Sequence, residues 1–595
     1  MSSSIRGSLF VLPSVLEAGS GLGRAMVRRF RYCRAVRRMA PQDATMYWLA
    51  GCTRNDLFLL YCFDDAGHSF ERLRADIAER VATIDALRVR ARAVPGDLDY
   101  PSWAPAGFDA EQVVEHPLAQ PDRRHLEAAL GDVVGSVLDA GVHPWRLHIF
   151  RGIVGFGDRE RAADFEGAPP IGHGPALVAV LQMSHALADG RRAAEIAREL
   201  FAAAEAVSAL PIAREPTGAL GVVRSGVNSA HCDNPVAMRQ ASVRAARAAA
   251  TGMLRIPVHL AENGIRRYRS FRTQCASAGC GVADRQREAA SSGVVARLVA
   301  RTALTSWVFA PWVTAAIAVP RLPIRIVRTA YRGYLAFQAQ RELANLTAAG
   351  ELPEPGEGFV PNRVNRIEAD GAAVHRVRML VCEASALRVP GRTVTVVVLT
   401  AVSLALVRYL ELHGEQVDRL GAQVPMALSD TAKAQAHNNY RSLSVDLSAD
   451  VADLRARADK ITATLRDRRV RAQHPLLTAQ DRVTEVVPAP LLRRDIARYP
   501  LDVVPESIAG HTVVSSVHRG PADLTFGGGR VRWTAGFPAI GSVMHLTHGV
   551  HGLGDTITIS LHADQATIPD LDVYAELLRV ALGEVTRGLK AELVD

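Results

Sequence analysis

Between Leu177 and Phe201 the chain reads LVAVLQMSHALADGRRAAEIARELF, and its hydrophobic period changes once along the way. The run 177–183 is short, rich in Val and Leu, and preceded by Gly172, Gly174 and Pro175, which predicts a buried strand. After Gly190, the residues Ala193, Ala194, Ile196, Ala197, Leu200 and Phe201 recur at helical spacing, with Arg and Glu between them. A strand therefore turns into an amphipathic helix here, and the turn carries His185 and Asp189 in the pattern His-x-x-x-Asp-Gly.

A histidine at a strand end points into a cleft, and a carboxylate four residues later can bend back to fix its ring or pair with a neighbouring Arg. Gly190 suggests a backbone position of positive φ. A neutral imidazole held in this way is a general base, able to take the proton from a hydroxyl as its oxygen attacks a carbonyl. The plainer alternative is a loop histidine beside a helix that Asp189 caps.

The 595 residues favour two to four domains, and 48% hydrophobic content with a mean hydropathy of +0.05 excludes disorder throughout. A net charge of +9 favours anionic partners such as nucleotide phosphates and acidic lipid head groups. Nucleic acid is set aside, because aromatic residues are only 6% and no reading motif is present. Cysteines at 33, 52, 62, 232, 275, 280 and 382 are odd in number and scattered, which fits a reducing compartment. Cys275 and Cys280 lack the second pair that a metal site needs.

Taken in order, residues 1–38 form a basic arm whose charge follows its apolar patch, the wrong order for a secretory signal. Residues 39–208 alternate strand-like and helix-like segments, with an apolar run at 57–63, a helical pattern over 70–89, and Trp103 and Trp145 as packing anchors. Residues 209–355 are an Arg- and Ala-rich linker holding the charge-free run 303–319, interrupted by Pro311 and flanked by Arg301 and Arg321. That run reads as a helix buried between domains or lying in a membrane interface, with Trp307 and Trp312 at head-group depth and Arg321, Arg325, Arg328 and Arg332 at lipid phosphates. Residues 356–595 form a second α/β domain. There 394–399 is expected as a β-rich start to a helix, 443–447 as a strand, 449–469 as a charged helix, 512–561 as several strands and 571–589 as an amphipathic helix.

His545, His548 and His551 invite a metal reading, but alternation along a strand puts His548 on the face opposite the other two, so no metal is expected. The glycines at 527–529, 552 and 554 read as turns. No Gly-x-Ser-x-Gly elbow, phosphate-binding loop or His-Glu-x-x-His helix is present.

With RMAPQDATMYW (38–48), WAPAGFDAEQVVEH (103–116), PWRLHIFRGI (144–153) and SHALADG (184–190), followed by QVPMAL, NNY and TVVSSVHRGPADL, the chain resembles the bacterial wax ester synthase/acyl-CoA:diacylglycerol acyltransferase (WS/DGAT) family. That family is related to chloramphenicol acetyltransferase. The resemblance implies an α/β (α+β) fold of two chloramphenicol-acetyltransferase-like domains with mixed sheets and an active-site channel at their interface. It implies His185 as the base, Asp189 as an orienting residue and Gly190 as the motif turn. It also implies transfer of a long-chain acyl group from acyl-CoA, as co-substrate and without a cofactor, to the hydroxyl of diacylglycerol or a fatty alcohol.

The same resemblance places Ser184, Thr395, Asn439, Ser515 and Ser516 at substrate-binding positions. It implies a cytoplasmic protein in peripheral contact with the inner face of the plasma membrane or with lipid inclusions. Ser184 stands where the family has a first His, Thr395 and Val396 where it has Asn-Asp, and Ser516 where it has Asn. These departures leave two alternatives: a weak or inactive lipid-binding paralogue, and a condensation-type acyltransferase fed by a carrier protein.

Overall fold

The computed structural model describes residues 37–155, 174–203, 294–366, 373–428, 436–501 and 503–591, with main chain alone over 294–317 and at 319. The basic arm up to residue 36, the linker to 293 with Cys275 and Cys280, and the side chains of 303–317 lie outside the described residues.

The first half contributes β1 (Arg37–Arg38), α1 (Pro41–Leu49), β2 (Leu57–Asp64), α2 (Phe70–Val81), β3 (Val89–Arg92), β4 (Ser102–Pro105), β5 (Val113–Glu115), α3 (Arg123–Gly135), β6 (Trp145–Ile153), β7 (Ala176–Met183) and α4 (Gly190–Phe201). After the long α5 (Val294–Ala348) come β8 (His375–Glu383), α6 (Val394–Leu412), β9 (Gly421–Ala427), β10 (Tyr440–Asp446), α7 (Leu454–Ala472), β11 (Thr512–His518), β12 (Thr525–Phe526), β13 (Gly529–Gly536), β14 (Leu546–Leu553), β15 (Thr556–Asp564) and α8 (Leu571–Ala591).

Two six-stranded mixed sheets carry the fold, one of order β12-β13-β2-β7-β6-β5 and one of order β10-β9-β11-β14-β15-β8. In the first, β2 and β6 run antiparallel to β7 while β5 runs parallel to β6. In the second, β11 is parallel to both β9 and β14. Each half is thus a mixed-sheet α/β unit, as the resemblance implies. The first sheet is completed by β12 and β13 from the second half, with β13 antiparallel to β2.

The two sheets share an apolar seam. Leu126, Leu130, Val133 and Val134 of α3 pack with Phe58, Leu60, Val178 and Val180 of the first sheet, Val377 and Met379 of β8, and Trp533 and Ala535 of β13. Each fully buried aliphatic side chain there stabilises by roughly 1.5–3 kcal/mol, so this seam is core and not a hinge.

Where sequence and structure differ, the reasons are local. The segment 394–399 is helical from its first residue, because the Thr393 side chain caps α6 by accepting the Val396 N–H, and burial on nearly every side overrides β-branched propensity. Among the described residues α6 is also the helix apolar and long enough to cross a membrane, yet two-thirds of it (67%) is buried inside the protein. The helical pattern over 70–89 ends at Val81, and β3 begins at Val89. The charged helix starts at Leu454, capped by Asp453. Gly527 and Gly528 make the β12–β13 turn at positive φ, whereas Gly552 lies inside β14.

Candidate active site

All eight residues of β7 are buried, and the strand ends where the Ser184 N–H donates to the Pro144 carbonyl at 2.8 Å. His185 follows on the turn, half-buried, in the wall of a cavity of about 550 Å³ between the two sheets. The first half also gives that cavity Met46, Leu49 and the stretch 55–59. The second gives Gln423, Pro425, Tyr440, Ser442, Val513, residues 515–519, Phe537, Pro538 and His551.

Asp189 does not reach back to the imidazole, contrary to the sequence expectation. One of its oxygens accepts the Arg192 N–H at 2.9 Å, capping α4, and the other accepts the Asn439 N–H at 3.2 Å. Helix capping and a tie to the second half engage both oxygens and turn the carboxylate toward α4 and Asn439, not toward the ring. Gly190 does not take positive φ, and a Cβ placed there would meet nothing within 4 Å, so no backbone strain requires glycine at this position.

The histidine is instead fixed through its main chain. Asn438 Nδ2 donates to the His185 carbonyl at 2.8 Å and to Asp43 Oδ1 at 3.0 Å. Asp43, on α1 and only 1% exposed, further accepts the backbone N–H groups of His437 and Asn438, each at 3.0 Å. The segment 437–439 of the second half is therefore clamped between two carboxylates of the first. Burial raises the Asp43 carboxyl, and the donors from His437 and Asn438 pull it part of the way back.

Burial lowers the His185 ring below its ordinary 6.5. Its own carbonyl, Asn438, and then the Asp189 and Asp43 carboxylates offset part of that. Nδ1 is sealed from water with no hydrogen-bond partner of normal geometry. The residue's own carbonyl and the Asn438 side chain are the acceptors beside the ring, and a proton held on the sealed Nδ1 leaves the lone pair on Nε2.

Of the other predicted positions, Ser515 and Ser516 line the cavity with His185. Thr395 stands in the first turn of α6 and donates to Ser516 Oγ at 3.1 Å, so it positions a wall residue. Ser184 is 2% exposed and packs behind the turn, outside the lining. Asn439 acts through its backbone while its neighbour Asn438 supplies the side chain.

Sequence reading did not single out Asp43, Asn438, Tyr440 or Asp56. Asp43 and the Asn-Asn-Tyr run stood in stretches that carried the resemblance, but neither was given a role. Tyr440 packs beside His185 in a tilted arrangement, with ring centroids 6.0 Å apart. Asp56, 4% exposed in the cavity wall, accepts the Leu138 N–H and Gln182 Nε2 at 2.9 Å on Oδ2, while Oδ1 has no partner. Burial pushes its carboxyl up to about 6.

The three histidines read as a metal motif go to different places. His548 bonds Thr512 Oγ1 and the Tyr574 hydroxyl at 2.9 and 2.8 Å, His551 lines the cavity, and His545 faces a second cavity. They form no metal-sized cluster.

Residues 437–586 match the family model of the WS/DGAT C-terminal domain. The part of the site that comes from 437 onward, including Asn438, Tyr440 and β11, thus lies within a span similar to that domain, and the match supports an acyltransferase. Among solved structures, the wax ester synthase/diacylglycerol acyltransferase from Marinobacter aquaeolei VT8 is 14% identical, with a TM-score of 0.48 over 93% of this chain and 99% of its own. A variant starter condensation domain of rhizomide synthetase, in complex with C8-CoA and Leu-SNAC, is 12% identical, with a TM-score of 0.42 over 96% and 98%. No curated protein matches the chain.

Proposed function

We propose that the protein is an O-acyltransferase that moves a long-chain acyl group from acyl-CoA to the hydroxyl of diacylglycerol or a fatty alcohol, with His185 as general base. The observation that carries this reading is the placement of His185. A neutral imidazole lies in the wall of a cavity built from both halves, its main chain held by Asn438 and its Nε2 left for a substrate.

In this reading Nε2 takes the hydroxyl proton as the oxygen adds to the thioester carbonyl. The tetrahedral species collapses, the C–S bond breaks, and the imidazolium returns its proton to the thiolate, releasing ester and CoA. Desolvation serves the step by keeping the ring unprotonated before the alcohol arrives.

Peripheral contact with an anionic membrane or lipid inclusion on the cytoplasmic side belongs to the same proposal. On α5 the side turned to the body carries Ala336, Ala339 and Leu343. The opposite side exposes Ile324, Val327, Tyr331, Tyr334 and Phe337, with Arg321 and Arg328 on one flank. Exposed aromatic and aliphatic side chains beside arginines suit an acidic lipid surface.

The test is CoA release from a long-chain acyl-CoA with a panel of diacylglycerol and fatty alcohols, run beside a folded His185→Ala control. Release that requires both an alcohol and His185 supports the reading. Turnover retained in His185→Ala refutes the base assignment. No release from folded protein leaves the binding paralogue, and turnover of a carrier-bound acyl chain alone identifies the condensation type.

A further inference from the structure

The reaction cavity has a second polar end. Arg519, directly after β11, is only 4% exposed and reaches across to the first sheet. There Nη1 donates to Thr534 Oγ1, to the Ala535 carbonyl at 2.7 Å and, at the limit of 3.5 Å, to the Leu60 carbonyl. This tie uses Nη1 alone and leaves a whole positive charge inside the protein. Among the described residues no carboxylate bears on that charge. Its neighbour is Tyr61, a neutral phenol whose ring centre lies 5.3 Å from Cζ and whose hydroxyl makes no hydrogen bond of normal geometry. A buried charge without a counter-charge is costly.

Arg519 Nε is sealed from solvent, whereas Nη2 makes no hydrogen bond and stays open to the cavity. His551, 5% exposed on β14, repeats the pattern, with Nδ1 sealed and Nε2 open. The two open nitrogens converge on Gly536, also in the cavity wall: a Cβ there would lie 2.6 Å from Nη2 and 2.9 Å from Nε2. Glycine therefore leaves uncovered a pair of donors that one anion can share, a guanidinium N–H and an imidazole N–H whose proton sits on the nitrogen facing the acceptor. Burial and the Arg519 charge keep the His551 ring neutral, so it adds a hydrogen bond and no second charge.

The carboxylates in the same wall, Asp56 and Asp189, belong to the opposite end. Leu57 pairs with Met183, so Asp56 and His185 flank the start of β2, whereas Arg519 is tied at the level of Leu60, which pairs with Ala535. The four residues from Asp56 to Leu60 span roughly 13 Å of strand. Between the two ends the wall carries Leu57, Leu59, Val513, Val517 and Phe537, a surface for hydrocarbon.

We propose that Arg519 and His551 form an anion subsite at the far end of the reaction cavity, which selects as acceptor an alcohol bearing a carboxylate or phosphate at the other end of its hydrocarbon chain. The hydroxyl lies at His185 Nε2, the chain along the apolar wall and the acid between Arg519 and His551. The acceptor's role rests on the acyl transfer proposed above; the subsite itself does not.

Calorimetric titration of the full chain with decanoate, decyl phosphate and decanol, without acyl-CoA, tests the subsite. At least one acid should bind at least about tenfold more tightly than decanol, and the tighter of the two tells carboxylate from phosphate. Arg519→Gln keeps a donor for the Ala535 carbonyl but loses the charge, and it should erase that preference. Should this variant not fold, crystals of the unsubstituted protein soaked in ω-bromodecanoate give an independent readout, an anomalous peak near His185 with the carboxylate at Arg519. Equal affinity for acids and alcohol, a preference indifferent to Arg519→Gln, or a bromine peak at the Arg519 end overturns the subsite. His185→Ala should retain decanoate binding, so a failure of acyl transfer is told apart from a failure of the subsite. The acceptor class is read from kcat/KM for ω-hydroxydecanoate against decanol with a long-chain acyl-CoA. A preference of about tenfold or more for the hydroxy acid supports it, and an equal or lower value, or no turnover of either, overturns it.

Discussion

Replacing Asp56 by Asn tests whether the wall of the reaction cavity holds a charge at a cost to the fold. Oδ2 accepts two N–H groups, and an Asn oxygen can accept the same two, so the substitution keeps the hydrogen bonds and removes the ionisation. The carboxyl is raised from 3.8 to about 6 by burial. Because the folded value lies above the unfolded one, the fold binds this proton more tightly. The group's contribution is therefore most favourable below the unfolded value and is lost as pH rises through about 6. A shift of about two units corresponds to roughly 3 kcal/mol, and only 4% exposure argues against screening by solvent.

Because the unfolded carboxyl is already partly ionised at pH 4, the parent should lose about 2–2.5 kcal/mol of this between pH 4 and 7, and Asp56→Asn should not. The assay is the difference in unfolding free energy between variant and parent, measured by urea denaturation at pH steps from 4 to 7.5. Contributions from other titrating groups cancel in that difference. The new Nδ2 has no acceptor where Oδ1 stood, so the absolute level will sit about 1–2 kcal/mol lower than the charge argument alone implies, but the trend will not. A difference that stays flat across this range refutes the claim that Asp56 is ionised at a cost in the native wall.

Activity should persist into acid: with the His185 ring lowered by burial, the acid limb of kcat/KM falls below pH 6.5, and a limb at or above that value contradicts a buried neutral base. Asn438→Ala orphans the His185 carbonyl and removes one donor from Asp43, which should cost roughly 2–4 kcal/mol in urea unfolding and lower kcat on the order of a hundredfold. Unchanged turnover would show that the clamp does not position the base. Replacing Ile324 and Phe337 by Glu should abolish co-sedimentation with vesicles containing anionic lipid while leaving the melting temperature unchanged, since both side chains are more than half exposed. Equal sedimentation of variant and parent would remove α5 from the lipid surface.

The strand, turn and helix around His185 were legible because their periods are strong and their burial is complete on the expected faces. Asp189 was legible as a cap for the same reason, since a carboxylate directly before a helix satisfies free N–H groups whatever surrounds it. Its tie to Asn439 was not, and neither was the grip of Asn438 on the His185 carbonyl, because residues some 250 positions apart meet there without any local signal. The misreading of 394–399 came from treating Val and Thr as strand formers in a segment whose setting is a helix buried in the core. Thr395 and Ser516 illustrate the middle case: both positions were expected at the site, but their mutual hydrogen bond needed the second sheet in place.

The crossing of β13 into the first sheet has a consequence for synthesis. β7 leaves the ribosome by residue 183, but the partner that covers the other edge of β2 ends at Gly536, roughly 350 residues later. At ordinary elongation rates of about 5–20 residues per second, the edge of β2 waits on the order of twenty to seventy seconds for its neighbour. During that interval Phe58, Leu60 and Cys62 lack the cover of Trp533 and Ala535, and the row of unpaired N–H and C=O groups invites pairing with other nascent chains. The seam beside the reaction cavity is thus the last part of the first lobe to close, and the edge of β2 is where the nascent chain is open longest to wrong pairing.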